Sequence, residues 1–255
     1  SAWTHPSSLT DNISPDGQNA GSSQVAMDNN GNAIIVWCQY DGENGQIFKS
    51  EYRSGAWAHP SDLADHISPD GQNAMDPQVA MDNNGNAIIV WGQSDSLNGQ
   101  VFKSEYRSGA WTLPSGLTDN ISPDGANAYF PQEAMDDNGN AIIVWSQSDG
   151  SKGQIFKSEY RSGVWTHPAG LTDNISPDGQ QANSAQVAMG ESGNAIIVWC
   201  QSDGSNDQVF KSEYGARAWT HPSSLSDNIS PDGRHASSPQ VATGNNGNAI
   251  IVWSQ

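Results

Sequence analysis

The chain repeats itself every 54 residues, without a single insertion. The segment Asn-Ala-Ile-Ile-Val-Trp ends at Trp37, Trp91, Trp145, Trp199 and Trp253. A second tryptophan series, Trp3, Trp57, Trp111, Trp165 and Trp219, keeps the same step. Ile-Ser-Pro-Asp-Gly recurs from Ile13, Ile67, Ile121, Ile175 and Ile229, and Phe-Lys-Ser-Glu-Tyr from Phe48, Phe102, Phe156 and Phe210. A fixed period of this length marks one supersecondary unit that cannot bury its own faces and must stack on its neighbours.

Each unit offers four strands, at 24–28, 32–39, 46–53 and around Trp57, the last closed by Pro60. The second is a nearly continuous apolar run, as expected of a strand covered on both faces. Ile34 and Val36 point one way and Ile35 and Trp37 the other, so each pair can pack on a different neighbour. Asp28-Asn29-Asn30-Gly31 is a tight-hairpin signal. Three short turns give an up-down meander, and radial repetition of such a meander is the propeller solution. A helical repeat would show a period of 3.6 residues, and none is present. The expected fold is therefore all-β: a five-bladed β-propeller of four-stranded antiparallel blades, forming one domain over residues 1–255. Its units run approximately 1–54, 55–108, 109–162, 163–216 and 217–255.

The repeats Gly31-x-Ala33-x-x-x-Trp37 and Trp57-x-x-Pro60 resemble those of bacterial and lectin-type β-propellers, over the whole chain. That resemblance implies a propeller and a glycan-binding role. WD40 repeats need a Trp-Asp pair that is absent here, and the sialidase Asp-box is unmet because Ser94 and Asp95 are adjacent.

The last unit is incomplete, lacking the residues equivalent to 40–54 and with them its third strand. Residues 1–7 are expected to join the last blade and close the ring. The blade would stay thin, with an exposed edge or a strand supplied by another chain, a route to self-association.

Charge and cysteine usage exclude several classes. With 28 acids against 10 basic residues, the net charge of −18 disfavours nucleic acid and anionic membranes. No apolar run approaches membrane-spanning length, so no membrane insertion is expected. Cys38 and Cys200 occupy the same position of non-neighbouring units and are too far apart for a disulfide. A secreted or cell-surface location is favoured.

Two sets of candidate site residues follow. Up-down topology puts the long loop at 7–23 and the turn at 41–45 on one face, where binding loops usually sit on rigid scaffolds. Their recurring polar residues are Asp16, Asn19, Asp41, Asp70, Asn73, Asp95, Asp124, Asn127, Asp149, Asp178, Asp203 and Asp232. The second set varies between units and lies just before the innermost strand: Met75, Asp76, Tyr129 and Phe130.

No cofactor and no metal are expected. His5, His59, His167 and His221 belong to different blades. His66 and His235 each replace an asparagine once and read as drift. Asp28-Asn29-Asn30-Gly31 loses its first calcium ligand in two units, at Gly190 and Gly244.

Equivalent residues on different blades act as copies, which favours multivalency. The expected function is a non-enzymatic, lectin-like binder of glycans through equivalent polar loops, with no catalytic residues. The alternative is a protein-interaction or structural propeller that uses the variable ring. The third reading is a glycoside hydrolase-like enzyme. Such an enzyme needs differently tuned carboxylates; the only acid unique to the inner strand is Glu133, where other units have valine, and Asp76 is a second unique acid nearby.

Overall fold

The computed structural model describes residues 6–244 and 247–255. Every regular element among them is a strand. Strands β1 (Ala20–Met27), β2 (Ala33–Tyr40), β3 (Gly45–Arg53) and β4 (Ala56–Ala58) form an antiparallel sheet in chain order. The second sheet is β5 (Ala74–Met81), β6 (Ala87–Ser94), β7 (Gly99–Arg107) and β8 (Ala110–Thr112). The third is β9 (Ala128–Met135), β10 (Ala141–Ser148), β11 (Gly153–Arg161) and β12 (Val164–Thr166). The fourth is β13 (Ala182–Met189), β14 (Ala195–Ser202), β15 (Asp207–Gly215) and β16 (Ala218–Thr220). A fifth sheet holds β17 (Ser237–Thr243) and β18 (Ala249–Ser254). The first strands contact one another in sequence, β1 with β5, β5 with β9, β9 with β13 and β13 with β17, so they form the inner wall of a β-propeller-like arrangement.

The first strand of each sheet begins three or four residues earlier than the expected start at Gln24 and its equivalents. A bulge interrupts it, between Gly21 and Gln24 in β1 and at the matching place in the other four. Ser22, Asp76, Phe130, Ser184 and Ser238 sit there with φ between 53° and 58°. A bulge adds an unpaired residue and hides the period-two pattern.

The apolar second strand is buried on both faces, as expected. Ile34, Val36 and Ile47 of the first sheet pack with Ile67, Ala87, Ile89, Trp91 and Phe102 of the second, and the next two junctions repeat this cluster. Trp91 stacks on Phe102 opposite it at 6.1 Å. Its Nε1 donates to Gln93 Oε1 at 3.0 Å, and Gln93 Nε2 donates to the Pro69 carbonyl at 2.6 Å.

The recurring loop motif joins these sheets. Its proline carbonyl receives that glutamine, and its serine ties two sheets together. Ser68 Oγ accepts from the Ile47 amide at 2.9 Å and donates to the Gln46 side chain of the preceding sheet. The Lys-Ser-Glu-Tyr-Arg segment is an intersheet clamp: Trp111 Nε1 donates to Glu51 Oε1 at 2.7 Å, Lys49 lies over the Trp111 ring, and Arg53 lies 3.8 Å from the Tyr106 ring.

The ring is open. Val25 and Met27 of β1 are 62% and 64% exposed, and Ile250 and Val252 of β18 are 70% and 55% exposed, although their equivalents Ile34 and Val36 are fully buried. The expected five-bladed count is thus seen as five sheets without closure, the last with two strands among the described residues. The proposed closure through residues 1–7 rests mainly on Trp3 and its neighbours, which lie outside the described residues. Cys38 and Cys200 are both free thiols.

Candidate functional site

The recurring polar residues are largely engaged in holding the loops. Asp41 Oδ1 accepts from the amides of Glu43 and Asn44, each at 2.7 Å, and Asp95, Asp149 and Asp203 close their own turns alike. Burial works to raise the Asp41 carboxyl, and its amide donors outweigh burial and hold it below the usual carboxylate range. Asn73 and Asn127 accept from the Gly45 and Gly99 amides of the preceding sheet. Gln181 and His235 do the same job at the next two junctions. Asn12, Asn120, Asn174 and Asn228 donate to Asp16, Asp124, Asp178 and Asp232. Asn19 contributes its carbonyl to the Tyr40 amide.

The histidines before proline are also structural. His59, His167 and His221 hydrogen-bond Ser50, Ser158 and Ser212 and stack on Trp57, Trp165 and Trp219. His5 lies outside the described residues. Asp28 likewise uses its carboxylate on Asn30 and Asn32 within the hairpin.

The variable residues behave differently, because the structure brings all four of them together. Met75, Asp76, Tyr129 and Phe130 line one cleft of about 340 Å³ between the second and third sheets. Two facts of sequence open it. Gly92 stands where other units carry Cys38, Ser146, Cys200 and Ser254, which leaves room beside Met75. The bulge then turns Asp76 and Phe130 out of the strand pleat at positive φ. Both residues also line a second cavity of about 310 Å³ with Ser22, Gln24 and Gln132, so the cleft continues along the inner wall.

Tyr129 and Phe130 are 50% and 66% exposed and tilted together, with centroids 6.1 Å apart. Two large rings left in solvent beside an acid form a surface suited to a ring-shaped ligand with an apolar face and a polar rim.

Glu133 lies three residues beyond Phe130 on β9, opposite Ile143. Its equivalents Val79 and Val187 pack on the intersheet apolar clusters. Glu133 is half-buried, and its Oε2 is sealed from solvent without a hydrogen-bond partner. Burial pushes its pKa up to about 8, so the carboxyl is protonated at neutral pH. Sequence comparison among the units singled out Glu133. That it faces the core between sheets could have been read from the valines it replaces.

No protein-family model matches this chain. A xyloglucanase from Paenibacillus sp is 27% identical over 215 residues, covering 77% of this chain and 20% of that enzyme. The chain thus spans a fifth of its relative's length. Among solved structures, the GH93 α-L-arabinofuranosidase of Fusarium graminearum with arabinobiose superimposes with a TM-score of 0.52 at 14% identity, over 94% of this chain and 77% of that one. A PL25 ulvan lyase bound to a GlcA-Rha3S saccharide gives a TM-score of 0.54 at 10% identity, over 78% and 54%. At these identities the two structures speak to the fold, which is β-propeller-like. The sequence relative is named for cleaving a glycan. On that finding, the expectations of a non-enzymatic lectin-like binder and of a chain that is not an enzyme are corrected.

Proposed function

We propose that this chain is the glycan-engaging part of a glycoside hydrolase-like propeller, with Asp76 and Glu133 as its acid pair. The observation that carries the reading is the broken symmetry at one junction. The two unrepeated acids of the inner strands stand on adjacent sheets, Asp76 in the cleft with the two exposed rings and Glu133 three residues beyond Phe130 on β9. Hydrolysis of a glycosidic bond needs one carboxyl that gives a proton and one that activates water or attacks. Glu133 is the carboxyl that gives its proton to the leaving oxygen, and burial keeps it protonated in the resting protein. Asp76 lies open in the cleft and takes the proton of the attacking water. Tyr129 and Phe130 hold the sugar by its apolar face.

Glu133 must turn from the intersheet core toward the inner wall to reach the bond. Three residues of strand separate its level from that of Phe130, the Asp76 equivalent, or about 10 Å. The xyloglucanase relative and the carbohydrate-active structural neighbours support a polysaccharide substrate. The test is release of reducing ends from xyloglucan and from arabinan. Asp76→Asn is expected to lower turnover by about 100-fold or more. Turnover unchanged in both Asp76→Asn and Glu133→Gln contradicts the assignment.

We infer, further, that the five sheets are the blades of one propeller and that a second copy covers its open faces. Val25 and Met27 match Val79 and Met81, and Ile250 and Val252 match Ile34 and Val36. The two sets pack against each other at the first internal junction, so the exposed pair is complementary by construction. Sedimentation should give a mass above the monomer that Ile250→Asp abolishes. A monomer at all concentrations overturns this.

A further inference from the structure

A broad cavity of about 800 Å³ opens between the loops of the first and second sheets. Asp41, His66 and Asp70 converge in it, each offering one ligand atom, and these atoms lie within 4.8 Å of one another. Asp16 and Glu43 line the same space. This is a different junction from the glycan cleft, and it is unlike its counterparts in one respect. His66 stands where the other units have Asn12, Asn120, Asn174 and Asn228.

The asparagine at this place has a plain structural task. Asn120 Nδ2 donates both to the Ser122 carbonyl at 2.8 Å and to Asp124 Oδ1 at 3.3 Å, using the two protons of one amide. His66 reproduces both contacts with two different nitrogens. Its Nδ1 lies 2.9 Å from the Ser68 carbonyl, and its Nε2 lies 3.2 Å from Asp70 Oδ1. A carbonyl oxygen only accepts, so Nδ1 carries the proton. In a neutral imidazole Nε2 is then a bare lone pair, pointed at a carboxylate oxygen that is also an acceptor. Two acceptors at this distance repel unless positive charge is shared between them. A metal-bound histidine has this arrangement: its far nitrogen donates to a backbone carbonyl, which fixes the tautomer and aims the lone pair at the ion.

We propose that Asp41, His66 and Asp70 bind one first-row divalent transition ion, for which zinc is the best match. The donor set of one imidazole nitrogen and two carboxylate oxygens suits zinc and leaves a fourth position for water. Calcium asks for six to eight oxygens. The Asp41 carboxylate is already held by the Glu43 and Asn44 amides, and the His66 side chain is only 11% exposed. Asp70, 88% exposed, is the ligand that moves to close the site. Ligands about 2.1 Å from zinc stand roughly 3.4 Å apart in a tetrahedron, so the closure is small. Asp16 and Glu43 add negative potential around it, and the chain's charge of −18 draws cations to its surface. The proposed site departs from the sequence expectation that the chain holds no metal and that His66 is drift.

A second proton on Nε2 would satisfy the same geometry, and the experiment separates the two. Chelator-stripped protein is titrated with zinc by calorimetry, with millimolar magnesium present to occupy general acidic surface. The expected result is one zinc per chain, weakened at least 100-fold in His66→Asn and in Asp70→Asn. His66→Asn installs the residue that four units already use, so it is expected to fold. Cobalt in place of zinc should show visible d–d absorption that His66→Asn removes. Absent binding, binding unchanged in His66→Asn, or a proton on His66 Nε2 by nitrogen-15 NMR that persists under saturating zinc each overturns the proposal. None of these outcomes touches Asp76 or Glu133, so the glycan reading stands or falls separately.

Discussion

Replacing Glu133 with valine is expected to stabilise the protein, and by more as the pH rises. Val25, Val79, Val187 and Val241 occupy this position in the other four units, so the space is already shaped for a branched apolar side chain. Burial raises the Glu133 pKa from the ordinary 4.5 to about 8. Between those values the folded state holds a proton that the unfolded state has released, and stability therefore falls as pH rises. Above about pH 8 the penalty is fully present, with a ceiling on the order of 5 kcal/mol. Partial exposure of the side chain brings the expected gain of Glu133→Val to about 3 kcal/mol. Well below pH 4.5 the carboxyl is neutral in both states and this contribution vanishes.

Glu51, Glu105 and Glu159 act with the opposite sign. Burial works to raise each of them, but lysine, arginine and tryptophan donors outweigh it and hold their pKa values low. Their contribution is present above the ordinary value and lost as pH falls through the lowered one. The parent should therefore be most stable near pH 5. Urea unfolding of the parent and Glu133→Val at pH 5 and pH 8.5 checks this, and parallel pH curves contradict it. An acid kept at the expense of stability, in a position four units fill with valine, is what a functional residue looks like.

The second large effect concerns Gln147. Its Oε1 accepts from Trp145 Nε1 at 2.9 Å, and its Nε2 donates to the carbonyls of Pro123 and Ala126 at 2.6 and 2.9 Å. Gln147 is 1% exposed and the Trp145 ring is fully buried. Gln147→Leu keeps the volume but strands one donor and two acceptors, each costing about 1–3 kcal/mol. The expected loss is roughly 3–5 kcal/mol. Gln255 makes the matching bonds to Trp253 and Pro231 in the open last sheet, where it is exposed. Water can replace it there, so Gln255→Leu should cost within about 0.5 kcal/mol. Equal losses in the two variants would show that these glutamines do not lock the blades.

Much of the fold was legible because the period made each assignment five times over. Among the described residues, the apolar second strand and the hairpin that precedes it appear where the residues place them. The bulge was not legible, since Ser22, Asp76, Phe130, Ser184 and Ser238 share no residue type that announces positive φ. The open ring was not legible either, because Ile250 and Val252 repeat Ile34 and Val36 whether or not a neighbour covers them. The site followed the same division. Recurring Asp41, Asn73 and Asp124 stand out in the sequence because they are polar and on loops, and the structure engages them in turn closure and in bonds within and between sheets. The informative residues were the exceptions, Asp76, Tyr129, Phe130 and Glu133. His66, also an exception, could not be weighed without seeing which atoms face its two nitrogens.

The central claim is that a glycan is held at one junction and not at five. A structure of Asp76→Asn with a bound xyloglucan oligosaccharide tests it most directly. The predicted result is sugar rings against Tyr129 and Phe130, with the scissile bond between the substituted side chain at position 76 and Glu133. Sugar distributed over the equivalent loops at Asp16, Asp124, Asp178 and Asp232, with the second and third sheets unoccupied, contradicts it.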